Sequence, residues 1–203
     1  PSVGSWATYG LGSDNANLPA FIAMCPGGYP IKGAQNWQAG FLPGAFQGTF
    51  IDSKHSQVEK LIENIRNHGQ STHQQRAQLD FLQTLNRSHL AARGGTDDKL
   101  RARIQSFELA YRMQMEATDA FDISKEPEYI REMYGEGLQA RQLLIARRLA
   151  ERGVRYTQVW TGFRQPWDNH DDLETGHRQL CGDCDKPIAA LLKDLKMRGL
   201  LED

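Results

Sequence analysis

The sequence predicts an α/β, helix-rich domain with a few short core strands, and three observations carry that expectation. Apolar residues recur at helical spacing through most of residues 52–153. The stretch Leu138 to Arg152, then Gly153, then Val154 to Thr161 reads as helix, glycine, strand, an α/β step. The first fifty residues hold 9 of the 19 glycines and 5 of the 8 prolines, the texture of turns between short elements. At 203 residues and 39% hydrophobic, the chain is sized for one domain, with three textures over 1–51, 52–153 and 154–203.

Charge and hydropathy exclude some function classes. Lys plus Arg number 24 against 25 Asp plus Glu, so no excess positive field exists to neutralise a phosphate backbone, and nucleic acid is not an expected partner. No membrane span is expected either: the longest apolar run, Leu18 to Cys25, is interrupted by Pro19 and falls short of the roughly 20 residues a bilayer crossing needs. Three cysteines cannot all pair within one chain and are too sparse for a disulfide scaffold. The chain starts at Pro1 without an export signal, so any such signal is expected outside it.

Residues 1–50 carry only two charged side chains, Asp14 and Lys32, among Trp6, Tyr9, Phe21, Tyr29, Trp37, Phe41, Phe46 and Phe50, which reads as turns between buried elements. Phe21 to Met24 is expected as a short strand ended by Pro26-Gly27-Gly28, and Thr49 to Ile51 as another. Neither Gly10-Leu11-Gly12-Ser13 nor Pro26 to Lys32 completes a phosphate-binding glycine pattern.

Helices follow. Val58, Leu61, Ile62 and Ile65 share a stripe that stops at Asn67 to Gly69. Ser71-Thr72-His73-Gln74 fits a capping box opening a helix over 72–92, with Leu79, Leu82, Leu85 and Leu90 on one face up to Gly94-Gly95. Thr96 or Asp97 caps the next, whose stripe is Leu100, Ile104, Phe107, Tyr111 and Met115. Helices 72–92 and 97–118 are expected to form an antiparallel hairpin. Ser124 ahead of Glu126-Pro127 opens another helix, stopping at Gly135 or Gly137. In Leu138 to Arg152, Leu143, Leu144, Ile145 and Leu149 point inward. Arg141, Arg147, Arg148 and Arg152 read as a solvated or ion-paired face that complements the helix dipole.

The chemistry-bearing stretch is the loop Gly162 to Asp172 after the last strand, since α/β proteins place ligands beyond the carboxyl ends of their strands. Asp168 and His170 stand two apart and, in an extended segment, point to one side, so a carboxylate oxygen and an imidazole nitrogen can reach one divalent cation. Further ligands would come from His177, from Asp171 or Asp172, or from residues beyond the chain. The plainer alternative makes Asp168 and Asp172 helix caps and His170 an exposed loop histidine. His177, Cys181 and Cys184 share a face if 175–185 is helical, and the cysteines read as small, buried, inert thiols rather than a redox pair. Pro187 should kink or restart the helix that carries Ile188, Leu191, Leu192 and Leu195 into a core.

Trp167-Asp168-Asn169-His170, with the preceding Ala146 to Trp160, resembles the bacterial family known as domain of unknown function 1501, in the alkaline phosphatase/sulfatase-like superfamily. Pro1 to Trp6, Phe107 to Gln114, Ala120-Phe121-Asp122 and Ile188 to Leu195 with Arg198 to Leu201 carry the same likeness. The resemblance implies one incomplete alkaline phosphatase-like domain with a helical hairpin insertion. It implies a periplasmic or secreted parent of roughly twice this length or more, and a two-metal hydrolase acting on a small-molecule or glycan ester of phosphate or sulfate. Asp168 and His170 match the family's Asp-x-His metal pattern, with His177 as companion, for zinc, calcium or manganese. The fragment itself is expected to be inactive, with self-association through surfaces left by missing segments. The rival expectation is a non-catalytic binding or assembly module built on the hairpin.

Overall fold

The computed structural model describes residues 1–61, 69–94 and 97–201. In order these form α1 (Val3–Leu11), β1 (Phe21–Cys25), β2 (Thr49–Asp52), α2 (Val58–Leu61), α3 (Thr72–Ala92), α4 (Asp98–Phe121), α5 (Glu128–Tyr134), α6 (Leu138–Glu151), β3 (Tyr156–Val159) and α7 (Leu173–Met197). Ile62, Ile65, Asn67, Gly95 and Thr96, and the side chain of Met115, lie outside the described residues. The strands make one parallel sheet in the order β2-β1-β3, with Ile22 opposite both Thr49 and Thr157. The expected α/β, helix-rich class is what the chain adopts.

Every residue of β1 is buried. A central parallel strand is covered on both faces and so reads as an unbroken apolar run. Alternate side chains go to opposite layers. Ile22 and Met24 join Ile51 and the inward faces of α4 and α6, including Met113, Ala117, Ile145 and Leu149. Phe21 and Ala23 meet Trp37, with Phe50, Tyr156 and Trp160 against them.

That second layer includes α1, where only turns were expected. Ser2 caps it, its Oγ accepting from the Ser5 amide at 3.3 Å. A nine-residue helix with two internal glycines is marginal by itself, so packing on the sheet decides it. Gly4 permits that packing, because a Cβ there would come within 2.6 Å of the Phe21 and Tyr156 rings. The aromatic residues of this region are not uniformly buried: Trp37 and Phe21 are, while Trp6, Tyr9, Tyr29 and Phe41 are exposed.

The α6–β3 step closes through a glycine in the left-handed region. Gly153 has φ 77°, and the amides of Gly153 and Val154 donate back to Ala150 and Leu149 at 3.0 Å each. This paired closure satisfies the last helical carbonyls and aims the chain into the sheet. Gly199 ends α7 in the same way, with φ 67° and a 2.9 Å bond from the Leu200 amide to Leu195.

Three expectations need correction. Of the two alternatives for the arginines, ion pairing holds for Arg147 and Arg148, but not at the surface: they are 1% and 4% exposed. Arg147 Nε lies 2.9 Å from Asp194 Oδ2 of α7 and its Nη2 2.5 Å from Glu126 Oε2, while Arg148 also pairs with Glu126. Burial by itself would raise the Glu126 carboxyl, but the two guanidinium groups override it and hold that carboxyl below its ordinary value. Second, α7 runs unbroken through Pro187. Its buried line is Cys184, Pro187, Ala190 and Asp194, one residue N-terminal to the expected apolar set and so rotated about 100° around the helix, and Ile188 and Leu192 are exposed. Small residues along that line let α7 approach α5 and α6, and this packing tolerates the proline. Third, the antiparallel hairpin forms, with Arg76 reaching Glu108 and Gln83 reaching Ile104. Of its expected stripe, Leu79 is buried, but Leu82, Leu85 and Phe107 are exposed.

Candidate functional site

The carboxyl ends of the strands carry three short segments. After β1, Cys25 is fully buried and its Sγ lies 3.7 Å from the Gly162 carbonyl. Burial, with the nearby Asp52 carboxylate, pushes this thiol up to about 11, the opposite of an activated nucleophile. After β2, Asp52 Oδ1 accepts from the amides of Gly27 at 2.8 Å and Lys54 at 3.1 Å, which ties it to the loops and leaves Oδ2 3.9 Å from His55 Nε2. Ser53 is buried beneath, its Oγ accepting from Gln142 Nε2 at 2.7 Å. The same amide donates to the Trp160 carbonyl at 3.2 Å, so one α6 side chain fixes the ends of both edge strands. Sequence reasoning missed Asp52, Ser53 and Gln142. The available signal was that a polar residue directly after an apolar strand sits at the sheet's carboxyl edge.

After β3 the loop folds back on itself. Trp167 Nε1 donates to Thr161 Oγ1 at 2.6 Å, and Arg164, at φ 62°, lays its guanidinium 5.2 Å from the Phe163 ring centroid. Thr161, Arg164 and Trp167 line an open cleft of about 430 Å³ that reaches Asp168. Beyond it, Asp168 Oδ1 lies 3.2 Å from His170 Nε2, with side chains 58% and 83% exposed. The loop rests on α7 through Gly176, where a Cβ would come within 1.9 Å of Asn169 Nδ2.

The structure thus brings Asp168 and His170 together and leaves His177 aside. His177 Nδ1 is 3.0 Å from the Leu173 carbonyl, and its ring faces Trp167 at 5.6 Å. Asp172 takes the N-cap position of α7 at φ 45°, yet its side chain makes no capping bond. Adjacent ligands on one cation, with metal–ligand bonds of about 2.1 Å, stand roughly 3.0–3.4 Å apart. The Asp168–His170 spacing therefore suits two ligands of one ion. Two donors are half of a four-coordinate shell. Among the described residues no set of three or more His, Cys, Asp or Glu converges.

The two α7 cysteines divide: Cys181 is exposed and Cys184 buried, both as free thiols. Burial, then Asp183 and Asp185, raises the Cys184 thiol, so its surroundings oppose the thiolate that a redox pair requires. No helix among the described residues is long and apolar enough to cross a membrane.

Across residues 1–203 the sequence matches the family described as Protein of unknown function (DUF1501). No curated protein and no solved structure matches it.

Proposed function

The chain belongs to the DUF1501 family, and from that premise we propose that it forms part of a metal-dependent hydrolase of phosphate or sulfate esters, with Asp168 and His170 holding a divalent cation. The observation that carries the reading is the 3.2 Å approach of these two donors on an exposed loop after the carboxyl end of a parallel strand. On the resemblance to alkaline phosphatase-like enzymes, the remaining ligands belong to flanking core strands of a longer, exported parent, with His177 a reserve donor. A zinc, manganese or calcium ion held there would supply Lewis-acid polarisation of an ester oxygen.

The chain's own residues do the rest. Asp168 contributes a negative oxygen and His170 a neutral nitrogen. Trp167, held by Thr161, forms a wall of the cleft. Arg164 lines the same cleft and presents a cation suited to an ester anion, braced by its stack on Phe163.

The test is turnover of phosphate and sulfate esters by the full-length parent with added zinc, manganese or calcium, beside Asp168→Ala and His170→Ala. Each variant is expected to lose at least about 100-fold in kcat/KM and to bind less metal by elemental analysis. Undiminished turnover in both removes them from the mechanism.

One observation favours the rival reading of a binding or assembly module: Phe81, Leu82 and Leu85 of α3 are 65%, 46% and 51% exposed. A full-length parent that holds no stoichiometric metal yet self-associates through this face would support it.

A further inference from the structure

The first helix is inverted in its amphipathicity. It buries Gly4, Ser5 and Thr8, small or polar side chains, and turns Val3, Trp6 and Tyr9 outward, all three exposed. The buried hydroxyls are met by backbone: Thr8 Oγ1 donates to the Gly4 carbonyl at 2.9 Å and Ser5 Oγ to the Gln38 carbonyl at 3.2 Å. No such compensation acts on the outer face, where large apolar side chains stand in water. A cluster of this kind on a folded surface marks a place where something docks.

A neighbouring segment extends the cluster. Phe41 is 76% exposed, and its ring meets Trp6 edge-on with centroids 5.7 Å apart, while Tyr9 meets Trp6 at 5.9 Å and Phe46 at 5.2 Å. The segment is tied to α1. The Ser2 amide donates to the Gln38 carbonyl at 3.0 Å, and Gly40, at φ 63°, comes so close that a Cβ there would stand 2.7 Å from the Pro1 nitrogen. Rings held in place before a partner arrives lose little freedom when it does. On the same helical face as Val3 and Trp6, Gly10 leaves a gap, with nothing within 4 Å of a Cβ.

The face is suited to a copy of itself. Residues 1–13 and 33–51, which build it, contain no Asp, Glu, Lys or Arg, so two copies brought together set no like charges of these segments against each other. The same lack of basic residues gives an anionic lipid surface nothing to hold. Val3, Trp6, Tyr9 and Phe41 expose on the order of 500 Å² per copy, and two copies together reach the roughly 1,000 Å² at which specific interfaces begin. A two-fold contact must be self-complementary, and here protruding rings lie beside the gap at Gly10. We propose that the outer face of α1, with Phe41, is the interface of a two-fold symmetric homodimer, and that Trp6 and Phe41 carry most of its affinity. The inference goes beyond the hydrolase reading: no residue of the Asp168 loop takes part, and the test reads mass rather than turnover.

The experiment is sedimentation velocity on the chain and on the full-length parent at about 1–100 μM. Both are expected to shift from monomer to dimer as concentration rises. Trp6→Ser and Phe41→Ser should each weaken the dimer at least about tenfold, and Phe81→Ser on α3 should leave it unchanged. If Trp6→Ser does not fold, the more exposed Phe41 variant decides. A chain that stays monomeric, a dimer that survives both substitutions, or one that Phe81→Ser dissolves overturns the proposal. So does a monomeric parent beside a dimeric chain, which would mean that the parent's own segments cover the face. Binding to phosphatidylcholine vesicles in place of dimerisation, lost in Phe41→Ser, would overturn it in favour of a lipid surface.

Discussion

The molecule uses one kind of interaction in two places, with different consequences. In the α5–α6–α7 corner, Arg147 is 1% exposed and meets Glu126, Glu151 and Asp194, and Tyr134 donates to Asp194 Oδ2 at 3.1 Å. In the α3–α4 hairpin, Arg76 joins Asp80 and Glu108 at the surface, with side chains 34%, 61% and 24% exposed. Both sets are guanidinium–carboxylate pairs. The buried set cannot fall back on water when a partner is removed, whereas the exposed set can, so location rather than pairing sets what each is worth.

The sharpest way to break this comparison is Arg147→Met, which nearly keeps volume but strands Asp194 and Glu126 without their central cation. Breaking a buried pair costs about 3–5 kcal/mol, and at this chain length each kcal/mol lowers the melting temperature by roughly 2–4 °C. Calorimetric melting should show a drop of about 6–20 °C. A drop below about 2 °C would mean that water reaches the cluster and that the two regions do not differ in kind. Tyr134→Phe tests the edge of the same cluster and should cost about 1 kcal/mol, because it removes one hydrogen bond and leaves the ion pairs standing.

A second test belongs with the exposed set, since Asp119, Lys125 and Arg152 are 43%, 54% and 27% exposed. Asp119 at the end of α4 is held at about 2, first by Lys125 and then by Arg152, both at 2.5 Å. Its folded value lies below the ordinary carboxylate value, so the unfolded chain binds more protons in that interval and stability falls as pH falls. The contribution is complete above about pH 4 and lost on descending to about pH 2. With the side chain 43% exposed, solvent screening trims the effect. Asp119→Asn should flatten the denaturant midpoint against pH in that window, and more so at low salt. An unchanged slope would assign the acid sensitivity to Glu126 or Glu108.

How much of this was legible in the sequence follows from what each element depends on. β1 and the α6–Gly153–β3 step are readable because their signals are local: an apolar run between breakers, and a glycine where the left-handed region is required. The Asp168–His170 pair was legible for the same reason, as two donors two residues apart in a loop. By contrast, α1 depends on Gly4 meeting the Phe21 and Tyr156 rings, a contact across 17 and 152 positions that no local pattern encodes. Arg147 looked like a dipole-complementing surface cation because its partners lie elsewhere in the chain, Glu126 in the turn before α5 and Asp194 on α7.

The smallest effects compare two glycines of α7. Gly182 has nothing within 4 Å of a Cβ, so Gly182→Ala should gain up to about 1 kcal/mol from helix propensity and leave the Asp168 loop untouched. Gly176→Ala has the same propensity gain but places its methyl within 1.9 Å of Asn169 Nδ2, so Asn169 must move and carry its neighbours Asp168 and His170 with it. The two variants should melt within about 3 °C of each other, yet only Gly176→Ala should weaken metal binding and ester turnover in the full-length parent. Equal metal affinity in both would show that the loop adjusts without disturbing the Asp168–His170 approach, and that α7 does not position the pair.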